Sequence, residues 1–267
     1  MKGFLVKKRL DELLAERRIF PSQSRAKAEI LEGNVKVNGT VVWKAGKFVD
    51  EKAEIIVKKR SPYVSRGAYK LLKALDEFEI DLNQKICCDF GASTGGFTQV
   101  MLERGAKKIY SVDVGYGQLA WKLRNDPRVV VRERTNVRFL TSEKFDEIPD
   151  FISCDLSFIS LRLVLPVVKR LLNNKGEAVC LVKPQFEAGR ERIKKGVVRS
   201  KEVHVDVLEN ILNFAKEVGF SIGGLTYSPL KGPAGNIEFL VFLNFESESN
   251  FDVRSVVNSA WESLLEG

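Results

Sequence analysis

The chain has 267 residues, enough for one large domain and one small one. Its apolar content of 44% supports a sizeable core, and no apolar run reaches the length of a membrane span. The start, MKGFLVKKRLDELLAERR, turns charged too soon for a secretory signal, and the net charge is +8. That charge is unevenly placed. Residues 1–66 carry 16 Lys+Arg against 8 Asp+Glu, and the remaining 201 residues carry 27 of each. The excess therefore sits at the N-terminus, as expected of a surface that meets a polyanion.

The first segment has folding signals. Arg9 to Arg17 reads as a helix with Leu10, Leu13 and Leu14 on one face, and Pro21-Ser22 breaks it. Ser24 to Glu32 reads as a second helix ended by Gly33. VKV, Asn38-Gly39 and TVVW form a hairpin, because Asn-Gly accepts the positive φ angles of a tight turn, and 54–58 adds a strand. These elements predict a small α+β domain over residues 1–58, with 59–66 as linker.

From residue 67 to 267 helices and strands alternate. Helices are predicted over 68–79, 97–104, 117–124, 160–172 and 202–218, and strands over 86–89, 108–114, 129–132, 151–155, 177–183, 220–227 and 237–245. This pattern predicts an α/β, Rossmann-like doubly wound sheet, mostly parallel, with the last strand antiparallel. The cysteines, Cys87, Cys88, Cys154 and Cys180, lie in apolar runs without C-x-x-C spacing and read as buried reduced thiols. His204 is the only histidine, so a histidine-based metal centre or serine–histidine triad has little to draw on; it reads as a helix-surface residue.

CCDFGASTGGFTQVML (87–102) ends an apolar strand at Asp89 and turns through Gly91, Gly95 and Gly96 into a helix. Such a loop lets backbone approach a nucleotide at the carboxyl edge of the sheet. Its G-x-x-x-G-G spacing departs from the dinucleotide fingerprint. Asp113 ends the next strand, where a carboxylate accepts the ribose hydroxyls of an adenosine-containing cofactor. Four further charges fall where charge is expensive: Lys70 in GAYKLLKAL, Asp155 at the end of FISCD, Lys183 at the end of AVCLVK, and Glu238 in NIEFLVFL. Unpaired burial of any one costs several kcal/mol, so they are expected to converge as a neutral quartet. For RNA contacts, Arg9, Arg25 and Lys44 stand out in the small domain, Arg66 at the linker's end, and Arg134 and Arg138 around TNV.

SRGAYKL, DLSFIS, LVKPQFE and GNIEFL resemble the Lys-Asp-Lys-Glu tetrad segments of the FtsJ-type ribose methyltransferases, and DFGASTGGFT resembles their cofactor loop. KRLDELL, SRAKAEILEG and VKVNG resemble the RNA-binding module first known in bacterial small-subunit ribosomal protein four. The two together are the arrangement of the TlyA, or haemolysin A, family. The resemblance implies an enzyme that uses S-adenosylmethionine to methylate the 2′-hydroxyl of cytidine in ribosomal RNA, in 23S and for some members also 16S. It implies Lys70, Asp155, Lys183 and Glu238 as the catalytic set, with Lys183 as base or proton-steering group. Asp89, Gly91, Ala92, Ser93, Thr94, Gly95, Gly96, Phe97, Asp113, Val114, Asn136 and Asp155 would form the cofactor site. The expected partner is ribosomal RNA or a ribosomal subunit, with no metal and no membrane, and the expected location is the cytoplasm; the sequence leaves the oligomeric state open, with a monomer slightly favoured.

Three rivals stand beside this reading. A nicotinamide-dependent oxidoreductase has the right fold but no role for four converging charges. A membrane-lytic protein needs a membrane span or a long basic amphipathic helix with an aromatic face, and the sequence shows neither. An RNA-binding scaffold with an inactive methyltransferase domain conflicts with a complete tetrad.

Overall fold

Leu10, Leu13 and Leu14 fall on one helical face, and that face builds the core of the first of two compact units, which divide between Pro62 and Tyr63. The computed structural model describes residues 7–57 and 61–265, so part of the expected linker lies outside the described residues. In the first unit β1 (Lys7–Arg9) leads into α1 (Leu10–Glu16), and α2 (Gln23–Leu31) starts where the Ser22 hydroxyl accepts the Arg25 amide at 3.2 Å. β2 (Val35–Val37) and β3 (Thr40–Val41) pair around Asn38 and Gly39, at φ 48° and 78°, as the Asn-Gly turn requires. β4 (Phe48–Asp50) pairs with β1, and β5 (Ile55–Val57) with β2. β1 and β4 are three residues each and carry no alternation long enough to read from sequence.

The second unit begins with α3 (Ala68–Glu77), then β6 (Ile86–Phe90), α4 (Gly96–Glu103), β7 (Lys108–Val112), α5 (Trp121–Arg124) and β8 (Val129–Arg132). β9 (Phe151–Cys154), α6 (Leu165–Leu171), β10 (Glu177–Val182), α7 (Lys201–Val218), β11 (Ser221–Tyr227), β12 (Phe239–Asn244) and α8 (Val253–Leu265) follow. The seven strands form one sheet in the order β11-β12-β10-β9-β6-β7-β8, with β12 antiparallel to both its neighbours. Alternation along the strands feeds two cores: Cys88, Phe90, Tyr110 and Ile152 face one side, and Cys87, Ile109 and Phe151 the other. All four cysteines are buried and free, and burial pushes the thiols of Cys87, Cys88 and Cys154 well up.

Topology sets the active edge. β6, β9 and β10 run parallel, so Asp155 and Lys183, each one residue past its strand, stand at the same edge. Because β12 runs the other way, Phe239 at its start pairs with Val182 at the end of β10. Glu238 is thereby delivered beside Lys183 from 55 residues further along the chain. The expected helix at 160–172 is divided: Leu161–Leu163 is a 3₁₀ turn, and the α-helix begins only at Leu165 with Pro166 in its first turn.

His204 corrects the sequence reading. It lies fully buried in α7 against Phe239, rather than on the helix surface, and α8, which the sequence reading did not include, covers it with Trp261.

Candidate active site

Lys183, Asp155, Lys70 and Glu238 form a continuous chain of alternating charge. Lys183 Nζ lies 2.6 Å from Asp155 Oδ1; Asp155 Oδ2 lies 3.7 Å from Lys70 Nζ, which is 2.6 Å from Glu238 Oε2. Asp155 is the link between the two lysines, and Glu238 is 1% exposed. A carboxylate so buried is tolerable because Lys70 neutralises it at hydrogen-bonding distance. Lys183 makes one further contact, donating to Ser157 Oγ at 3.0 Å. These residues line a pocket of about 490 Å³ together with Arg66, Ser93 and Lys231.

A second cavity, of about 690 Å³, adjoins the first and shares Gly91, Ser93, Asp155 and Ser157 with it. Asp113, Val114, Asn136 and Arg138 line its far part. Gly91 is the close-approach position: its φ is +87°, and a Cβ there would sit 2.5 Å from the Asp155 carbonyl oxygen. Asp113 accepts the amides of Ser93 at 2.8 Å and Gly115 at 2.7 Å, one on each oxygen. Its remaining lone pairs are available to ribose hydroxyls. The glycine cradle, the acidic group at the end of β7 and the size of the cavity fit S-adenosylmethionine.

The rest of the cofactor set divides by position. Gly91, Ser93, Asp113, Val114, Asn136 and Asp155 line the large cavity. Ala92, Thr94, Gly96 and Phe97 line only a pocket of about 40 Å³ under the loop, and Ala92 and Phe97 belong to the core. Gly95, at φ +95°, is packed against Leu119 and Leu123. Asp89 requires a correction, because it is fully buried and reaches no cavity. Its carboxyl accepts the Thr98 amide at 2.9 Å, the Thr98 hydroxyl at 2.7 Å and the Ser153 hydroxyl at 3.2 Å. Burial pushes it up to about 7, against the pull of those donors. It pins α4 to the sheet and so holds the loop from beneath.

The proposed RNA contacts also divide. Arg9 is bound to buried Asp11 at 2.8 Å and Arg25 to buried Glu29 at 2.9 Å, so both support the fold of the first unit. Lys44 is exposed. Arg66 lines the pocket of the four charges; Arg138 lines the larger cavity and lies over Phe139, and Arg134 lies 4.3 Å from the centre of the Tyr116 ring.

Several residues were missed. Ser157 follows Asp155 by two positions, and its role depends on where Lys183 arrives from another strand. Phe158, 91% exposed at φ +63° on the rim of the larger cavity, has no sequence signal, since aromatics rarely occupy that conformation. Gln118 and Thr135 also line this cavity.

The family model of the FtsJ-like methyltransferases matches residues 63–245, and that of the S4 domain matches residues 8–55. The 16S/23S rRNA (cytidine-2′-O)-methyltransferase TlyA of Mycobacterium tuberculosis is 40% identical over 97% of this chain and 98% of its own. Hemolysin A of Brachyspira hyodysenteriae is 44% identical over 87% of this chain and 98% of its own. A solved structure of a hemolysin-named protein from Streptococcus thermophilus superposes with a TM-score of 0.77 at 43% identity, covering 98% of each chain. The charge chain, the glycine cradle and these matches agree: the chain belongs to the TlyA, or hemolysin A, family of S-adenosylmethionine-dependent FtsJ-like methyltransferases carrying an S4 domain.

Proposed function

We propose that the protein methylates the 2′-hydroxyl of a cytidine in ribosomal RNA, that Lys70, Asp155, Lys183 and Glu238 are its catalytic residues, and that it works in the cytoplasm. The observation that carries this reading is the neutral four-charge chain in a pocket sharing a wall with the cofactor cavity. A ribose hydroxyl is a weak acid, and turning it into a nucleophile requires a group that holds or takes its proton. The relatives named for cytidine-2′-O-methylation supply the substrate class. The 2′-hydroxyl itself restricts the acceptor to RNA.

The cofactor supplies a methyl group already activated for transfer, so the residues' work is alignment and proton handling. Lys183 directs the hydroxyl, fixed by Asp155 and Ser157 on two of its donors. Asp155 keeps Lys183 in place and receives Lys70 on its other oxygen. Glu238 balances Lys70, so the pocket bears no unpaired buried charge before the RNA enters. Asp113 and the 91–93 turn hold the cofactor; Asp89 holds the turn. In the first unit Lys44 meets RNA phosphate, and Arg66, Arg134 and Arg138 do so around the transfer site.

Incubating the protein with labelled S-adenosylmethionine and separated ribosomal subunits, then mapping the modified nucleotide, tests the reading. Label on a cytidine ribose is the expected result. Label on a base, or on protein alone, refutes it.

A further inference from the structure

Four cations and two carboxylates line the acceptor-side pocket. Lys70 and Lys183 are matched by Glu238 and Asp155, whereas Arg66 and Lys231 are exposed and make no ion pair among the described residues. The pocket therefore carries two positive charges beyond what its own acids neutralise. A nucleotide within an RNA strand brings one negative phosphodiester on each side of its ribose, and a free nucleoside brings none.

Lys231 is also held in place by its turn. The Gly232 amide donates to the Asn236 carbonyl at 2.8 Å, and the Gly235 amide donates to Gly232 at 2.8 Å. Asn236 is 1% exposed; its side chain accepts the Val198 amide at 3.0 Å and donates to the Gly196 carbonyl at 2.8 Å. Upstream, the Ser228 amide donates to the Glu238 carbonyl at 2.8 Å, and the Ser228 hydroxyl donates to the Leu230 carbonyl at 2.6 Å. A Cβ on Gly232 would lie 2.5 Å from Glu238 Oε1, so the turn runs directly against the catalytic carboxylate. The backbone of Lys231 is thus fixed relative to the transfer site, and only its side chain is left to reach outward.

We infer that Lys231, with Arg66, clamps the backbone phosphates on either side of the acceptor ribose. The inference rests on the ribose-methylation reading and deepens it. Lys231 is a positioning residue: it touches the strand and leaves the proton to Lys183. Its work is to make the pocket prefer a nucleotide inside a chain, through charge complementarity rather than base contacts.

The test uses the full chain with ribosomal RNA, measuring KM and kcat at several salt concentrations. Lys231→Ala should raise KM for RNA about tenfold, the scale of one charged contact, with kcat nearly unchanged. The fall of log(kcat/KM) with log salt should become shallower by about 0.7, as loss of one phosphate contact to a single strand requires. Lys231→Arg should keep both values native, and Lys231→Glu should raise KM further. Lys175→Ala, at an exposed lysine in the turn before β10, should change neither. Native KM and native salt slope in both Lys231→Ala and Lys231→Glu, with ribose methylation intact, would overturn the clamp alone. No ribose methylation by the native chain would overturn the clamp together with the reading beneath it.

Discussion

Trp261 Nε1 donates a 2.9 Å hydrogen bond to Nδ1 of His204, joining α8 to α7 through the chain's only histidine. Accepting on Nδ1 makes the neutral ring carry its proton on Nε2, which is buried without a partner among the described residues. Burial lowers the imidazole from its ordinary value of 6.5 to about 4.

The pH dependence follows in sign. An imidazole whose folded pKa lies below its unfolded one keeps its contribution above pH 6.5 and loses it as pH falls toward 4, because the unfolded chain takes up the proton first. At pH 5 the native chain should lose about 2 kcal/mol relative to pH 7.5 from this residue. His204→Leu should lack that part of the acid sensitivity. Urea unfolding followed by tryptophan fluorescence at both pH values checks this; equal pH sensitivity in the two proteins would remove His204 from the account.

His204 also marks where sequence reading failed. A lone histidine on a helix reads as a surface residue, and nothing near it in sequence announces α8, with Trp261 57 residues on, as its cover. The seven strands of the large sheet were legible because each is an apolar run bounded by polar turns, and the tetrad because charge interrupts those runs. Asp89 shows the limit of that signal. A carboxylate at a strand end reads the same whether it turns to the ligand or inward to Thr98 and Ser153. Arg9 and Arg25 show a similar limit: a positive charge in sequence does not reveal that Asp11 or Glu29 is paired with it.

That division separates stability from binding in the first unit. Arg9→Ala strips buried Asp11 of its guanidinium, leaving only the Gln23 amide and the Glu12 backbone amide as donors among the described residues, and should lower the thermal unfolding temperature. Lys44→Ala removes an exposed side chain and should leave stability native while weakening RNA binding several-fold. Thermal unfolding and RNA titration of both variants check the pair. A stability loss in Lys44→Ala, or none in Arg9→Ala, would reverse the assignment.

Asp113 holds the loop through the Ser93 and Gly115 amides and, in the proposed site, also accepts the cofactor's ribose hydroxyls. Asp113→Ala frees the Ser93 and Gly115 amides and removes the ribose acceptor, so S-adenosylmethionine affinity should fall by roughly 1–3 kcal/mol. RNA affinity should stay native. Calorimetry with the cofactor measures the first and titration with RNA the second; unchanged cofactor affinity would displace Asp113 from the site.

Lys183 carries the sharpest prediction. Lys183→Ala should reduce methyl transfer by at least about a hundredfold, the usual scale for a group handling the transferred proton, with cofactor and RNA affinities near native. Two roles remain distinguishable within that loss. A lysine that takes the proton must first be neutral, and a guanidinium stays protonated at any usable pH. Proton abstraction by Lys183 therefore requires an inactive Lys183→Arg and a native single-turnover rate that climbs with pH. Steering by a charged Lys183, fixed between Asp155 Oδ1 and Ser157 Oγ, requires a flat profile and partial activity in the arginine variant. The same chain of contacts predicts coupling, because Asp155 positions Lys183 at 2.6 Å. Asp155→Asn combined with Lys183→Ala should be hardly worse than Lys183→Ala alone, since one residue acts through the other. Fully multiplicative losses in that double variant would show Asp155 acting on the acceptor independently, and near-native methylation by Lys183→Ala would sink the tetrad as a whole.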